Sequence, residues 1–260
     1  MTPLTLRQRI ESAKASHGIA LMPFLAGGYP DVATCMDVLT AIDLPGVAAV
    51  EIGFPFSDPI ADGPTIQEAF TIALSKGLKV DHVFDGIAAA RPRHTLPLVA
   101  MVSYSIVFRF GVKRFVDRAT EVGFAALLIP DLPPPEAGPT CDLIHAGGLE
   151  TVLLVSPSTP AKRRNEIARL CTGFVYYLSL AGTTGERDQL PDGVEDNVRQ
   201  IKALTDVPVC VGFGVSKRQH VKQLSGVADG AIVGSAIVKR MKNSSNPPHD
   251  VSEFVKELVG

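Results

Sequence analysis

The chain has 260 residues, is 46% hydrophobic and carries a formal net charge of −2, enough for one large folded unit with a substantial core. Acids and bases are interspersed, so no basic stripe points to nucleic acid and no block of like charge to a solvated tail. Four scattered cysteines without C-x-x-C spacing argue against a disulfide or zinc framework, and no apolar run reaches membrane-spanning length, so a cytoplasmic protein is expected.

Leu6, Ile10 and Ala13 recur at helical spacing in an amphipathic N-terminal segment that lacks the apolar run of a secretory signal. Residues 19–25 read as a short apolar strand, ended by Gly27-Gly28-Tyr29-Pro30, and Asp31 caps a helix to Ile42. A second strand, 47–52, runs into the most distinctive stretch, EIGFPFSDPIADGPTIQ at 51–67. Gly53, Pro55, Pro59, Gly63 and Pro64 bar both strand and helix, because proline lacks an N–H and fixes φ while glycine admits positive φ. The result is a stiff loop carrying Asp58 and Asp62, with a helix restarting at Pro64-Thr65 and running to Ser75. Glu51 at the strand end and Asp62 flank that loop, an arrangement suited to acid–base work. The competing reading makes Glu51 an ion-pair partner and Asp62 a turn residue.

Helices are expected at 81–90, 112–121, 135–145, 161–170 and 194–204, alternating with strands at 96–102, 125–129, 151–155, 174–178 and 207–211. Ser216 caps a helix to Leu224, residues 230–233 form the eighth strand, and Gly234-Ser235 opens a short helix. A Pro/Ser/Asn hinge at 243–250 precedes a closing helix at 251–258. Continuous apolar strands alternating with helices imply a parallel sheet buried on both faces. Eight such units predict an α/β protein, a (β/α)8 TIM barrel with an extra N-terminal helix and a short phosphate-binding helix after strand 8. An open doubly wound sheet is the alternative, but Gly27-Gly28 lacks the G-x-G-x-x-G spacing. No composition shift marks an internal boundary, so residues 1–260 read as a single domain.

In such a barrel the site lies at the C-terminal strand ends. Those ends comprise 24–28, 51–62, 101–105, Pro130-Asp131, 156–158, 179–185, 212–214 and Gly234-Ser235. Glycines at 212, 214 and 234 allow close backbone approach, and a helix opening at Ser235 favours an anion, so a phosphate is expected there. No lysine stands at a strand end for a Schiff base, and no His/Cys/acid cluster has metal spacing. The histidines, His82 and His220 among them, read as surface or helix-end residues. Metal-free acid–base chemistry on a phosphorylated, partly aromatic substrate is what remains, with Phe24, Met101, Leu128 and Phe213 as apolar lining.

The 51–67 stretch resembles the tryptophan synthase alpha subunit family. So do Pro23-Phe24, Gly28-Tyr29-Pro30, Pro130-Asp131-Leu132-Pro133, Tyr176-Tyr177, Gly182-Thr183-Thr184-Gly185, Gly212-Phe213-Gly214 and Gly234-Ser235-Ala236-Ile237-Val238, in that order. The resemblance implies a lyase that cleaves indole-3-glycerol phosphate to indole and glyceraldehyde 3-phosphate. It implies Glu51 as the general acid–base residue and Asp62 as the carboxylate that answers the indole N–H. Phe24, Met101, Leu128 and Phe213 would line the indole pocket and Tyr176 would touch the substrate. Gly185, Gly214, Gly234 and Ser235 would hold phosphate, and residues 179–193 would close as a lid with Thr184 meeting Asp62. The family implies a beta-subunit partner in an α2β2 complex, facing Pro55, Phe56, Ser57 and Asp58. Pyridoxal phosphate would belong to that partner, with no cofactor in this chain. Leu180 where arginine is common, Thr183 where valine is usual, and Ser103-Tyr104-Ser105 depart from the family pattern. A stand-alone lyase, a regulatory subunit and a generic phosphate-binding isomerase are the competing functions.

Overall fold

The computed structural model describes residues 4–59, 62–179, 193–212 and 214–260. In chain order the elements are α1 (Leu6–His17), β1 (Ala20–Ala26), α2 (Val32–Ala41), β2 (Val50–Gly53), α3 (Pro64–Ser75), α4 (Val80–Ala90) and β3 (Leu98–Met101). Next come α5 (Tyr104–Phe110), α6 (Val112–Val122), β4 (Ala126–Leu128), α7 (Pro134–Ala146), β5 (Glu150–Val155), α8 (Ala161–Leu170) and β6 (Phe174–Leu178). The chain finishes with α9 (Val194–Lys202), β7 (Val209–Gly212), α10 (Arg218–Leu224), β8 (Gly230–Val233), α11 (Ser235–Lys242) and α12 (Pro247–Val259). Each strand pairs in parallel with the next and β8 pairs with β1, closing a (β/α)8 barrel.

Every residue of β1 is buried, as expected where a strand packs on both faces. Strand side chains alternate between two cores. Ala20, Met22, Ala49, Val99, Ala126 and Tyr176 belong to the inner cluster, while Leu21, Val50, Ile52 and Val175 belong to the layer under the helices. Glu51, between outward Val50 and Ile52, therefore points into the barrel. Leu6 and Ile10 of α1 close the inner cluster at the N-terminal end of the barrel. Thr5 and Gln8 cap that helix reciprocally, and Glu150 Oε1 accepts from the Leu6 N–H at 3.2 Å.

The turn out of β2 is anchored by Phe54, which is 1% exposed. Its ring centroid lies 5.2 Å from Phe84, 5.5 Å from Phe115 and 6.1 Å from Phe124. Burying one such side chain contributes roughly 1.5–3 kcal/mol, so the chain leaves Glu51 from a fixed point.

Several expected boundaries shift for physical reasons. The apolar run at 47–52 marks burial rather than pairing: Val47 makes only an isolated bridge to Leu21, and β2 begins at Val50. The strand expected at 96–102 is paired only over Leu98–Met101. The third strand end turns directly into α5, a helix not expected from the sequence. Ser103 caps it, and Asp131 accepts both the Ser103 hydroxyl and the Tyr104 N–H at 2.7 Å. The hinge expected over 243–250 is instead partly helix: α12 starts at Pro247, where a missing N–H costs nothing. Ser216 does not cap α10. Lys217 occupies that position, and the Ser216 N–H donates to Nδ1 of His220, which is 1% exposed rather than at the surface.

Candidate active site

Glu51 lies opposite Phe24 of β1 and Val99 of β3 in the barrel register. It is 1% exposed, and its Oε1 has no hydrogen-bond partner among the described residues. Loss of water is the whole cause that pushes its carboxyl up to about 8. A carboxyl in this state holds a proton at neutral pH and can give it up to a base or an accepting carbon.

Asp62 stands at the end of the loop that follows. Its N–H donates to the Pro59 carbonyl at 3.0 Å, and its own carbonyl accepts from Gln67 Nε2 at 2.8 Å. Pro64 at the first position of α3 stops the loop, as the sequence implies. Burial pushes the Asp62 carboxyl up to about 6, well short of Glu51. Between about 6 and 8 one carboxyl is ionised and the other protonated, the division of labour that acid–base catalysis by two acids requires.

Tyr176 is the third member. Burial first, then the charges of Glu51, Asp62 and Cys210, push its phenol well above the ordinary range, so it stays a neutral hydroxyl within electrostatic reach of both carboxyls. Gly212 of β7 makes room for it: a Cβ there would collide with the Tyr176 hydroxyl. Gly53 does the same for Phe24, whose ring would lie 2.5 Å from an added Cβ. Phe24 in turn lies beside Gly234, whose own Cβ would stand 3.6 Å from Phe24 and 3.6 Å from Ile66.

The residues expected to hold phosphate sit at the neighbouring strand ends. Gly214 has φ +86°, a conformation that suits glycine. Gly234 precedes α11, whose N-terminus has no side-chain cap, so first-turn N–H groups and the positive end of the helix dipole face outward beside half-buried Ser235.

The fold thus brings Phe24, Glu51, Asp62, Tyr176, Gly234 and Ser235 to one end of the barrel. Met101 and Leu128 pair across β3 and β4 in the same inner layer. Thr184, Gly185 and Phe213, with the Leu180 and Thr183 departures and the expected lid apart from its end residues Ser179 and Gly193, lie outside the described residues. Pro55 is buried, so it shapes the turn rather than offering a contact surface. Phe56 packs on Phe70 at 6.2 Å, and Ser57 and Asp58 are exposed. Asp131, named with Pro130 at the fourth strand end, accepts the Tyr104 N–H at the start of α5.

Sequence reading missed Leu154, Leu178 and Ile232, which join the inner cluster. Two-residue parity along each strand is the signal that finds them. It also missed Gln67, because its two loop contacts are visible only in three dimensions. Among the described residues, no group of three His, Cys, Asp or Glu side chains could hold a metal ion, and no helix is long and apolar enough to cross a membrane.

Residues 10–259 match the family model for the tryptophan synthase alpha chain. A tryptophan synthase alpha chain from Prochlorococcus marinus is 44% identical over 260 residues, covering 99% of this chain and 94% of the relative. One from Rhodopirellula baltica is 41% identical over 247 residues, covering 94% and 88%. Among solved structures, a mutant tryptophan synthase alpha-subunit from the hyperthermophile Pyrococcus furiosus superposes with a TM-score of 0.87 at 39% identity, covering 94% of this chain and 98% of that one.

Proposed function

Since the chain belongs to the tryptophan synthase alpha chain family, we propose that Glu51 and Asp62 divide the proton work of its lyase reaction. That reaction cleaves indole-3-glycerol phosphate to indole and glyceraldehyde 3-phosphate in tryptophan biosynthesis. The observation that carries the proposal is the pair of carboxyls at one barrel end, pushed to about 8 and about 6 by burial.

Cleavage needs a proton on indole C3, loss of the proton from the adjacent carbinol hydroxyl, and rupture of the bond between those two carbons. Protonated Glu51 delivers the first proton. The resulting carboxylate collects the hydroxyl proton as the C–C electrons return to the ring and the carbinol carbon becomes the aldehyde. Glu51 ends the cycle protonated, and no net proton is consumed. Ionised Asp62 accepts the indole N–H while positive charge develops in the ring. Tyr176, Phe24, Met101 and Leu128 hold the ring in an apolar slot, and Gly214, Gly234 and Ser235 grip the phosphate.

Phe213, Thr184 and Gly185 complete the slot and the phosphate grip in this reading, and residues 179–193 close over them. A beta subunit is the partner that the family's name implies. Its docking face is the C-terminal end of the barrel: Ser57 and Asp58 are exposed there with the edge of Phe56, and Phe108 on α5 is 68% exposed. An α2β2 assembly, with pyridoxal phosphate held by the beta subunit, follows from this reading.

The test is indole release from indole-3-glycerol phosphate by the purified chain, alone and with a beta subunit. The chain has no tryptophan, so indole fluorescence stands on a low background. Release that Glu51→Gln abolishes and the beta subunit accelerates is expected. Undiminished release by Glu51→Gln would overturn the assignment.

A further inference from the structure

The loop that carries Asp62 has a bond pattern that the reaction does not by itself explain. The Gln67 carboxamide, in the first turn of α3, donates from Nε2 to the Asp62 carbonyl at 2.8 Å and to the Pro59 carbonyl at 3.2 Å. Both partners are acceptors, so the amide must present its NH2 edge; the oxygen edge would face two carbonyls and be repelled. The Pro59 carbonyl also accepts the Asp62 N–H, and the Gln67 N–H itself donates to the Gly63 carbonyl. One residue therefore fixes both the start and the end of the turn that aims Asp62. Pro59, Gly63 and Pro64 limit backbone angles locally, and Phe56, packed on Phe70, ties the earlier part of the loop to α3. Gln67 ties the Asp62 end of the loop to the same helix, which is packed into the barrel through Ala69, Phe70 and Ala73.

From this geometry we propose that Gln67 is a positioning residue for the lyase reaction, one that holds the Asp62 carboxylate at the indole end of the site through two N–H bonds to its loop. The proposal rests on the role given to Asp62 above. A misplacement of about 1 Å in a reacting group can lower turnover by about 100-fold, so a two-point tether on the loop acts on the rate through the position of Asp62. A glutamate in its place would keep the shape but, ionised, would turn a carboxylate toward both carbonyls. A methionine would keep the bulk and lose both donors.

The experiment is a cycle of Gln67→Met, Asp62→Asn and the double variant, with Gln67→Glu as a second probe. Each is assayed for kcat, for the pH profile, and for affinity toward glycerol 3-phosphate as the phosphate-end probe. Gln67→Met is expected to lower kcat by about 10- to 100-fold and to leave glycerol 3-phosphate affinity within about twofold. The acidic limb of its pH profile should move, because the Asp62 carboxyl then samples more water. In the Asp62→Asn background the same change should add little, since both act through one group. A Gln67→Met enzyme with wild-type kcat and an unmoved acidic limb overturns the proposal. So does an equal loss in both backgrounds, or a parallel loss of glycerol 3-phosphate affinity, which would mark general loosening. Full activity in Asp62→Asn alone would remove the Asp62 role, and the single variant separates that outcome from a failure of Gln67.

Discussion

Glu51 and Asp62 at the C-terminal end of the barrel and Asp229 at the N-terminal end are held in opposite ways, while Glu150, also at the N-terminal end, is raised by burial like the first two. At the C-terminal end Glu51 and Asp62 are pushed up, to about 8 and about 6, by loss of water. At the N-terminal end Asp229 is also largely buried, and burial alone would raise it. Bonds from Lys14 at 2.6 Å, from the Val209 N–H at 2.8 Å and from Lys202 at 3.0 Å outweigh that and hold it below the ordinary range. Asp229 is spent on stitching α1, α9, β7 and β8 together. Glu51 keeps an oxygen with no hydrogen-bond partner among the described residues. The proposed chemistry at Glu51 and the structural role of Asp229 thus fall at different ends, as strand-end loops in this fold allow. The cost of the unpaired acid is carried by the rest of the core.

The sharpest way to break that contrast is Glu51→Gln. Loss of about 100-fold or more in kcat is expected, read by indole release, with the fold retained by circular dichroism. The same variant should be more stable than the parent in alkaline solution. The sign follows from the raised value: the stability a protonated Glu51 contributes is complete below its unfolded value of 4.5 and is lost as pH rises through about 8. Glutamine escapes that loss, so thermal melts at about pH 9 should favour Glu51→Gln. Equal melting behaviour across pH would mean the carboxyl is not desolvated.

At the other end, Asp229→Ala leaves two ammonium groups and a backbone N–H without their acceptor. A stability loss of about 2 kcal/mol by denaturant titration is expected, with kcat per folded molecule retained. A drop in kcat larger than the stability loss would show that the two ends are coupled. Gly212→Ala is a smaller insult on the active side. Its Cβ meets the Tyr176 hydroxyl, so the ring must shift, costing about 1–3 kcal/mol of stability and raising KM. An unchanged KM would take Tyr176 out of the substrate slot. The mildest test is pH: kcat/KM should be bell-shaped, falling below about 6 as Asp62 gains a proton and above about 8 as Glu51 loses one. A flat profile across that range would assign the protons elsewhere.

Much of this was legible in the chain because the signals are local. Proline and glycine at 53–64 act on their own backbone, so a stiff acidic loop ending at Pro64 follows from those residues alone. Apolar runs of strand length between helices implied a parallel sheet, eight of them matched a barrel better than an open sheet, and the strands do close. Motif order carried the family. The tertiary structure decided what depends on partners distant in sequence. Asp131 accepting the Tyr104 N–H, 27 residues away in sequence, turned an expected strand end into a helix. Packing buried Pro55 and left Ser57 and Asp58 as the outward part of the turn. The Gln67 tether appeared only once α3 folded back on its own loop. The separation between Glu51 and Asp62 is likewise a property of the closed barrel. Both are ordinary carboxylic acids in the chain, and only the amount of water each loses on folding pushes one up to about 8 and the other to about 6.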